Sequence, residues 1–219
     1  MLNVIFVGCA LSVAVLFGWS FRWGDNHSPS LWFLRLMMLA MLVNNMTMIV
    51  SQWADSSEWS WAPGYLHAAL YIGVFPFLNV FAASLMHHAG IRVAHHPIFL
   101  SSIWLAVVVL VIYGVWEAIA GQILPSQDLS ITDSTATSGN IVERFSYPAI
   151  ITNLAVIGMS LAIWKVSGWY WLFVAATVFF CLNLFCRGSE WEPVVASIAE
   201  LGFVSVLLCA ERHFNRVRR

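Results

Sequence analysis

Long apolar runs, separated by short polar or breaker-rich stretches, dominate the pattern of this chain. Seven runs stand out, at Leu2–Trp23, Leu31–Trp53, Tyr65–Gly90, Ile98–Gly121, Pro148–Lys165, Gly168–Cys186 and Pro193–Phe214. Between them lie "GDNHSPS", "ADSSEWSWAPG", "GIRVAHHP", a long Ser/Thr-rich segment, "KVSG" and "RGSEWEP". A helix needs about 20 apolar residues to cross the hydrocarbon core of a bilayer. The runs are too long for membrane strands and lack their alternation. The pattern predicts an all-α, polytopic membrane protein, a single domain over residues 1–219 with seven transmembrane helices. The first run has no Lys or Arg before it and no small-residue cleavage site after it, so it reads as a true span rather than a signal peptide.

Composition agrees. Hydrophobic residues make up 60% of the 219 and charged residues 10%, against about 25% charged in a soluble domain. Mean hydropathy is +0.80. The twelve tryptophans suit two membrane–water interfaces. A net charge of −1 gives no field to gather nucleic acid or an anionic substrate. The partner implied is the lipid bilayer, with a membrane protein or a second copy of the chain as further candidates.

Charge then orients the bundle. Arg22 and Arg35 flank the first connection, Arg92 lies in the third and Lys165 in the fifth, with Arg212, Arg216, Arg218 and Arg219 in the tail. The alternate connections hold only Arg144 and Arg187 among several acids. The positive-inside rule then sets the N-terminus outside and the C-terminus in the cytoplasm, as in a bacterial inner membrane. Residues 122–147 form the single long external loop.

The chemistry-bearing residues are few. His87, His88, His95 and His96 stand as two adjacent pairs around the third connection. A metal centre needs three or four ligands converging on one ion, and neighbouring helical side chains diverge by about 100°. One histidine from each pair is the best ligand set available, without an evident third. The alternative is a polar helix end made of imidazoles, the side chain that changes charge nearest neutral pH. Haem ligation needs two histidines at matched depth on facing helices, and His67 and His213 lack such partners. Cys9, Cys181, Cys186 and Cys209 form no CxxC pair, so no zinc or redox motif arises. There is no GxSxG, HExxH, P-loop or GxGxxG, and no cofactor is expected. The lone Lys165 sits at a helix end, where a retinal Schiff base does not form.

Polar residues within spans are costly and normally face the bundle interior. Glu200 lies about 10 Å below the outer boundary at 1.5 Å per residue. Glu117, His67, Asn44, Asn45, Asn153 and Asn183 share its leaflet. If they converge, they form a polar ligand site open to the outside, with Glu200 deepest. The bland reading makes the amides interhelical hydrogen-bond glue. Asn79 follows Pro76, where a proline can kink the helix.

The stretch "YIGVFPFLNVFAASLMHHAG", Tyr71–Gly90, resembles the third helix of the seven-helix membrane sensor region found ahead of some bacterial histidine kinases. The span count and the basic exit after the last helix are also similar. The sequence stops at residue 219, where a kinase or other output domain would start in that family. The resemblance therefore implies a sensor or accessory that passes its signal to a separate protein. Two other classes stay open. One is a membrane enzyme acting on a lipophilic substrate, with Glu200 or Glu117 as general acid. The other is a structural subunit of a membrane complex. A transporter is disfavoured because no inverted repeat is visible.

Overall fold

The structure is a computed structural model that describes residues 2–23, 29–51, 72–123, 147–186, 189 and 191–217. Its helices are α1 (Leu2–Trp23), α2 (Pro29–Ser51), α3 (Leu78–His88), α4 (Pro97–Ile123), α5 (Tyr147–Ser167), α6 (Trp171–Phe185) and α7 (Glu192–Val217). Short 3₁₀ turns at Phe75–Phe77 and Arg92–His95 flank α3. Among the described residues every regular element is helical. An all-helical chain is what a lipid surrounding demands, because a helix pairs its backbone groups within one segment.

Five helices are long and apolar enough to cross a membrane: Val4–Arg22, Leu31–Val50, Pro97–Glu117, Tyr147–Ser167 and Glu192–Phe214. The chain therefore has the make-up of an integral membrane protein. Two apolar helical segments are shorter, Ile72–His88 and Trp171–Phe185. The 15 residues of α6 measure roughly 22 Å at 1.5 Å per residue, less than the ~30 Å hydrocarbon core. Its start falls three residues later than expected because Gly168 takes a left-handed backbone (φ 75°) and its N–H caps α5 at the Trp164 carbonyl, 2.8 Å away. The proline effect expected in the third segment is a 3₁₀ turn, with Pro76 buried at its start. The start of that expected span, and nearly all of the expected loop 122–147, lie outside the described residues.

The core is shared by α1, α2, α3, α5, α6 and α7. Val13, Leu34, Met38, Phe81, Ile163, Phe179, Phe203 and Leu207 are all buried in it. Phe179 and Phe203 stack at 4.9 Å between α6 and α7. Half of the α7 span is buried against 17% of the α4 span. So α7 is the central helix and α4 a peripheral one, showing Leu105, Val109, Ile112 and Trp116 outward. Residue Gly114 lets α4 approach its neighbours: a Cβ there would lie 2.8 Å from Ile72 Cγ2 and 3.5 Å from Pro148 Cγ.

The ends of α1 and α5 carry Arg22 and Lys165 in their last turns, which complements the negative end of each helix dipole. Glu192 in the first turn of α7 does the same at the opposite pole. Trp164, Tyr170 and Trp171 are exposed around the α5–α6 connection. Trp169 there stacks on His213 of α7 at 5.8 Å. Aromatic rings beside basic residues are the usual furnishing of a membrane interface. We call this pole, where α1, α5 and α7 finish, the basic end.

Candidate functional site

The polar residues of the spans occupy one band. Counting 1.5 Å per residue from the basic end, Cys9, Asn45, Thr152 and Glu200 lie roughly 21–26 Å along α1, α2, α5 and α7. All four are buried: Cys9 is 5% exposed, Asn45 and Thr152 0% and Glu200 6%. Helices α1 and α7, which carry Cys9 and Glu200, pack against each other. Ser197, one turn from Glu200, is buried as well. No hydrogen bond to the Glu200 carboxyl occurs among the described residues. A carboxyl on a largely buried, apolar helix face is costly, so its position calls for a reason.

The amides of the band are mostly engaged locally. Asn45 Nδ2 donates to the Met41 carbonyl at 2.9 Å. Asn153 Nδ2 donates to Ala149 at 3.1 Å, and Asn183 Nδ2 to Phe179 at 2.8 Å. Thr47 Oγ1 donates to Asn44 at 2.8 Å. Each of these bonds stays within one helix. Between helices, Asn79 Nδ2 of α3 donates to Thr152 Oγ1 of α5 at 3.5 Å. The carbonyl oxygens of Asn45 and Asn79 are buried with no donor among the described residues. For Asn45 the amide orientation is unambiguous, because its nitrogen faces a carbonyl that can only accept.

The expected set is spread over several helices. Glu200, Asn44 and Asn45 are buried on helices that pack together. Asn153 and Asn183 turn their N–H groups to their own helices. Glu117 is half-buried on the peripheral α4, further toward the α4 C-terminus than the band. His67 lies outside the described residues. The structure also forms a recess on another face, lined by Phe33, Leu34, Met37, Val74, Phe77, Leu78 and Phe81. It is apolar and too narrow to admit a water molecule.

The histidines are held by a well-formed turn. After α3, Gly90 adopts φ 77°. Its N–H bonds the His87 carbonyl at 3.1 Å, while the Ile91 N–H bonds Met86 at 3.1 Å. These two bonds are a Schellman cap, which requires a left-handed residue at that point. The 3₁₀ turn Arg92–His95 follows, and His96 closes the turn by accepting the Ile98 N–H at its Nδ1, 3.4 Å away. The outcome brings His87 and His95 together, with ring centroids 4.0 Å apart. His88 lies 5.9 Å from His87. Among the described residues no group of three or more His, Cys, Asp or Glu side chains is placed to hold a metal ion.

Two charged residues are more deeply buried than their places in the sequence suggest. Arg35 reads as a flank of the first connection, but it is 2% exposed, inside α2. Its Nε donates to Ser20 Oγ at 3.1 Å and its Nη2 to the Ser20 carbonyl at 2.9 Å. The guanidinium also lies 4.0 Å over the Phe21 ring and 5.1 Å over Trp32. Glu211 is buried at 1% on α7, although it reads as part of a charged tail. The signal available for Arg35 was its place four residues inside an apolar run.

No protein-family model matches the chain, and no curated protein or solved structure does either.

Proposed function

We propose that this chain is a seven-span sensory or accessory protein of a bacterial inner membrane, with its N-terminus outside. In this reading a small ligand or a proton engages the band around Glu200, and α7 passes the change to a partner protein. The observation that carries the reading is the burial of Glu200 on the most buried spanning helix, with no donor to its carboxyl among the described residues. The donor-free oxygens of Asn45 and Asn79 favour a ligand that brings N–H or O–H groups or positive charge. Asn44, buried beside Asn45 on α2, belongs to the same band. A ligand acts as a signal only if it binds two helix arrangements unequally. The central place of α7 suits it to report such a difference.

The test is purification from native membranes in mild detergent, with native mass spectrometry of the wild type and Glu200→Gln. The expected result is a stoichiometric protein partner for the wild type. Any small molecule bound to it is lost in the variant, while the thermal unfolding midpoint stays put. Turnover of a lipid extract that Glu200→Gln abolishes would replace this reading with the enzyme one. A partner and ligand retained by Glu200→Gln would remove Glu200 from the site.

A further inference from the structure

The basic end carries an inference independent of Glu200. Ile72 and Pro148 both flank Gly114, within 3.5 Å of where its Cβ would lie. Further along both segments, Asn79 bonds to Thr152. The third segment and α5 therefore run in the same direction, and α3 finishes at the pole where α5 finishes. Beyond the Asn79–Thr152 contact, α3 runs about 15 Å to Ala89 and α5 about 20 Å to Lys165, at 1.5 Å per residue. The turn Arg92–His95 thus belongs to the basic end, near the level of Lys165.

The charge of this surface is one-sided. Arg22, Arg92 and Lys165 are exposed here, with histidines between them. Among the described residues no exposed acid offsets them. Glu200 and Glu211 are buried, and Glu117 and Glu192 lie toward the opposite pole. The cations alternate with apolar side chains. Val93, next to Arg92, is 59% exposed, and Trp164, next to Lys165, is 41% exposed. Tyr170 and Trp171 are exposed on the same connection as Lys165, with rings stacked at 4.8 Å. Cations interleaved with aromatic and aliphatic groups suit the boundary between headgroups and acyl chains. A soluble anion would use only the cations.

We propose that the basic end is a docking surface for anionic phospholipid headgroups, with Arg92 and Lys165 as its cationic contacts. Both stand on well-formed connections. Arg92 opens the 3₁₀ turn that follows the Gly90 cap, and Ala94 anchors that turn in the core. Lys165 lies in the last turn of α5, which Gly168 closes. Beyond it the Trp169 N–H donates to Ser167 Oγ at 3.2 Å, and the Trp169 ring stacks on His213 of α7. The two charges are thus presented from fixed backbone on separate segments of one pole. Their attraction for an anionic leaflet is local and falls off within a Debye length.

The experiment exposes the full chain in mild detergent to an equimolar mixture of dioleoyl phosphatidylglycerol and dioleoyl phosphatidylcholine, and counts the bound lipids by native mass spectrometry. Wild type, Arg92→Gln, Lys165→Gln and Glu192→Gln are compared. The expected result is preferential retention of phosphatidylglycerol. Arg92→Gln and Lys165→Gln each weaken its binding about 5-fold, the effect of one cation beside an anionic lipid surface, and leave phosphatidylcholine unchanged. Glu192→Gln removes a charge at the opposite pole and keeps the preference. In the wild type the preference shrinks as ammonium acetate rises from about 0.1 to 1 M, where the Debye length falls from about 10 to 3 Å. Equal retention of the two lipids overturns the proposal. So does an unchanged preference in either Arg92→Gln or Lys165→Gln, or displacement of phosphatidylglycerol by millimolar glycerol phosphate, which would make the ligand a soluble phosphate. The salt series needs no variant, so the assignment is tested even where a variant folds poorly.

Discussion

Replacing Arg35 tests how the first two helices are joined. Its side chain makes two charge-assisted hydrogen bonds to Ser20 and lies over the rings of Phe21 and Trp32. Hydrogen bonds to a charged group contribute roughly 1.5–3 kcal/mol each, and a partly desolvated cation–π contact about 1 kcal/mol. These contributions overlap, because all act on one guanidinium. We expect Arg35→Ala to cost about 3 kcal/mol, near the low end for removing one partner of a buried charged interaction. Arg35→Lys keeps the charge but loses the two-pronged geometry, and should fall between the wild type and Arg35→Ala. Ser20→Ala removes the Oγ acceptor and leaves the carbonyl, a loss of about 1 kcal/mol. The assay is reversible unfolding in mixed micelles by increasing sodium dodecyl sulfate, read by tryptophan fluorescence. Coupling is measured by the Arg35→Ala, Ser20→Ala cycle. If the two changes add within about 0.5 kcal/mol, the residues are not coupled and the join lies elsewhere.

Two further changes probe the backbone. Gly114→Leu places atoms where Ile72 Cγ2 already sits 2.8 Å from a Cβ; overpacking of this kind costs about 1–3 kcal/mol. The paired change Ile72→Ala should recover part of the loss in the same unfolding assay, and no recovery would mean that α4 does not meet Ile72. Gly90→Val puts a β-branched residue at φ 77°, at a cost of roughly 1–2 kcal/mol. It should also loosen the His87–His95 pair, seen as faster amide exchange over residues 89–96, whereas unchanged exchange would argue that the cap does not hold the turn.

Much of the helical layout was legible in the sequence. The first run, Leu2–Trp23, coincides with α1, and the fourth, Ile98–Gly121, lies within Pro97–Ile123. Polar breakers follow both runs, so hydropathy and helix propensity end close to the same residues. The sixth helix begins late because Gly168 caps the preceding helix, and hydropathy does not register a left-handed residue. Arg35 shows the main blind spot. A long cationic side chain three or four residues inside a span can turn either to the interface or to a neighbouring helix, and one-dimensional pattern does not distinguish them. The histidines show another. Adjacency was visible, but contact between His87 and His95 depends on the chain folding back through Gly90 and the 3₁₀ turn. For the site, the direction of the side chains was not legible: Glu200 and Asn45 are buried, while the N–H groups of Asn45, Asn153 and Asn183 all bond to their own helices.

Asn79 separates a structural amide from a functional one. Its bond to Thr152 is long, at 3.5 Å, and its carbonyl oxygen is buried with no donor among the described residues. Interhelical bonds of this kind average about 0.6 kcal/mol within membranes. A buried polar atom left unmet costs about 1–3 kcal/mol. The unmet oxygen therefore outweighs the bond, and leucine has nearly the same shape as asparagine without either polar atom. Asn79→Leu should leave the unfolding midpoint unchanged or raise it. Thr152→Val should instead destabilise by about 1–3 kcal/mol, because the buried Asn79 Nδ2 then has no acceptor. Under the sensory reading, the stabilised Asn79→Leu protein should at the same time release the small molecule that the wild type retains. A loss of more than about 1.5 kcal/mol in Asn79→Leu would show that the amide is already satisfied by the fold. The balance would then be reversed, and Asn79 would belong to the packing of α3 on α5 rather than to a ligand site.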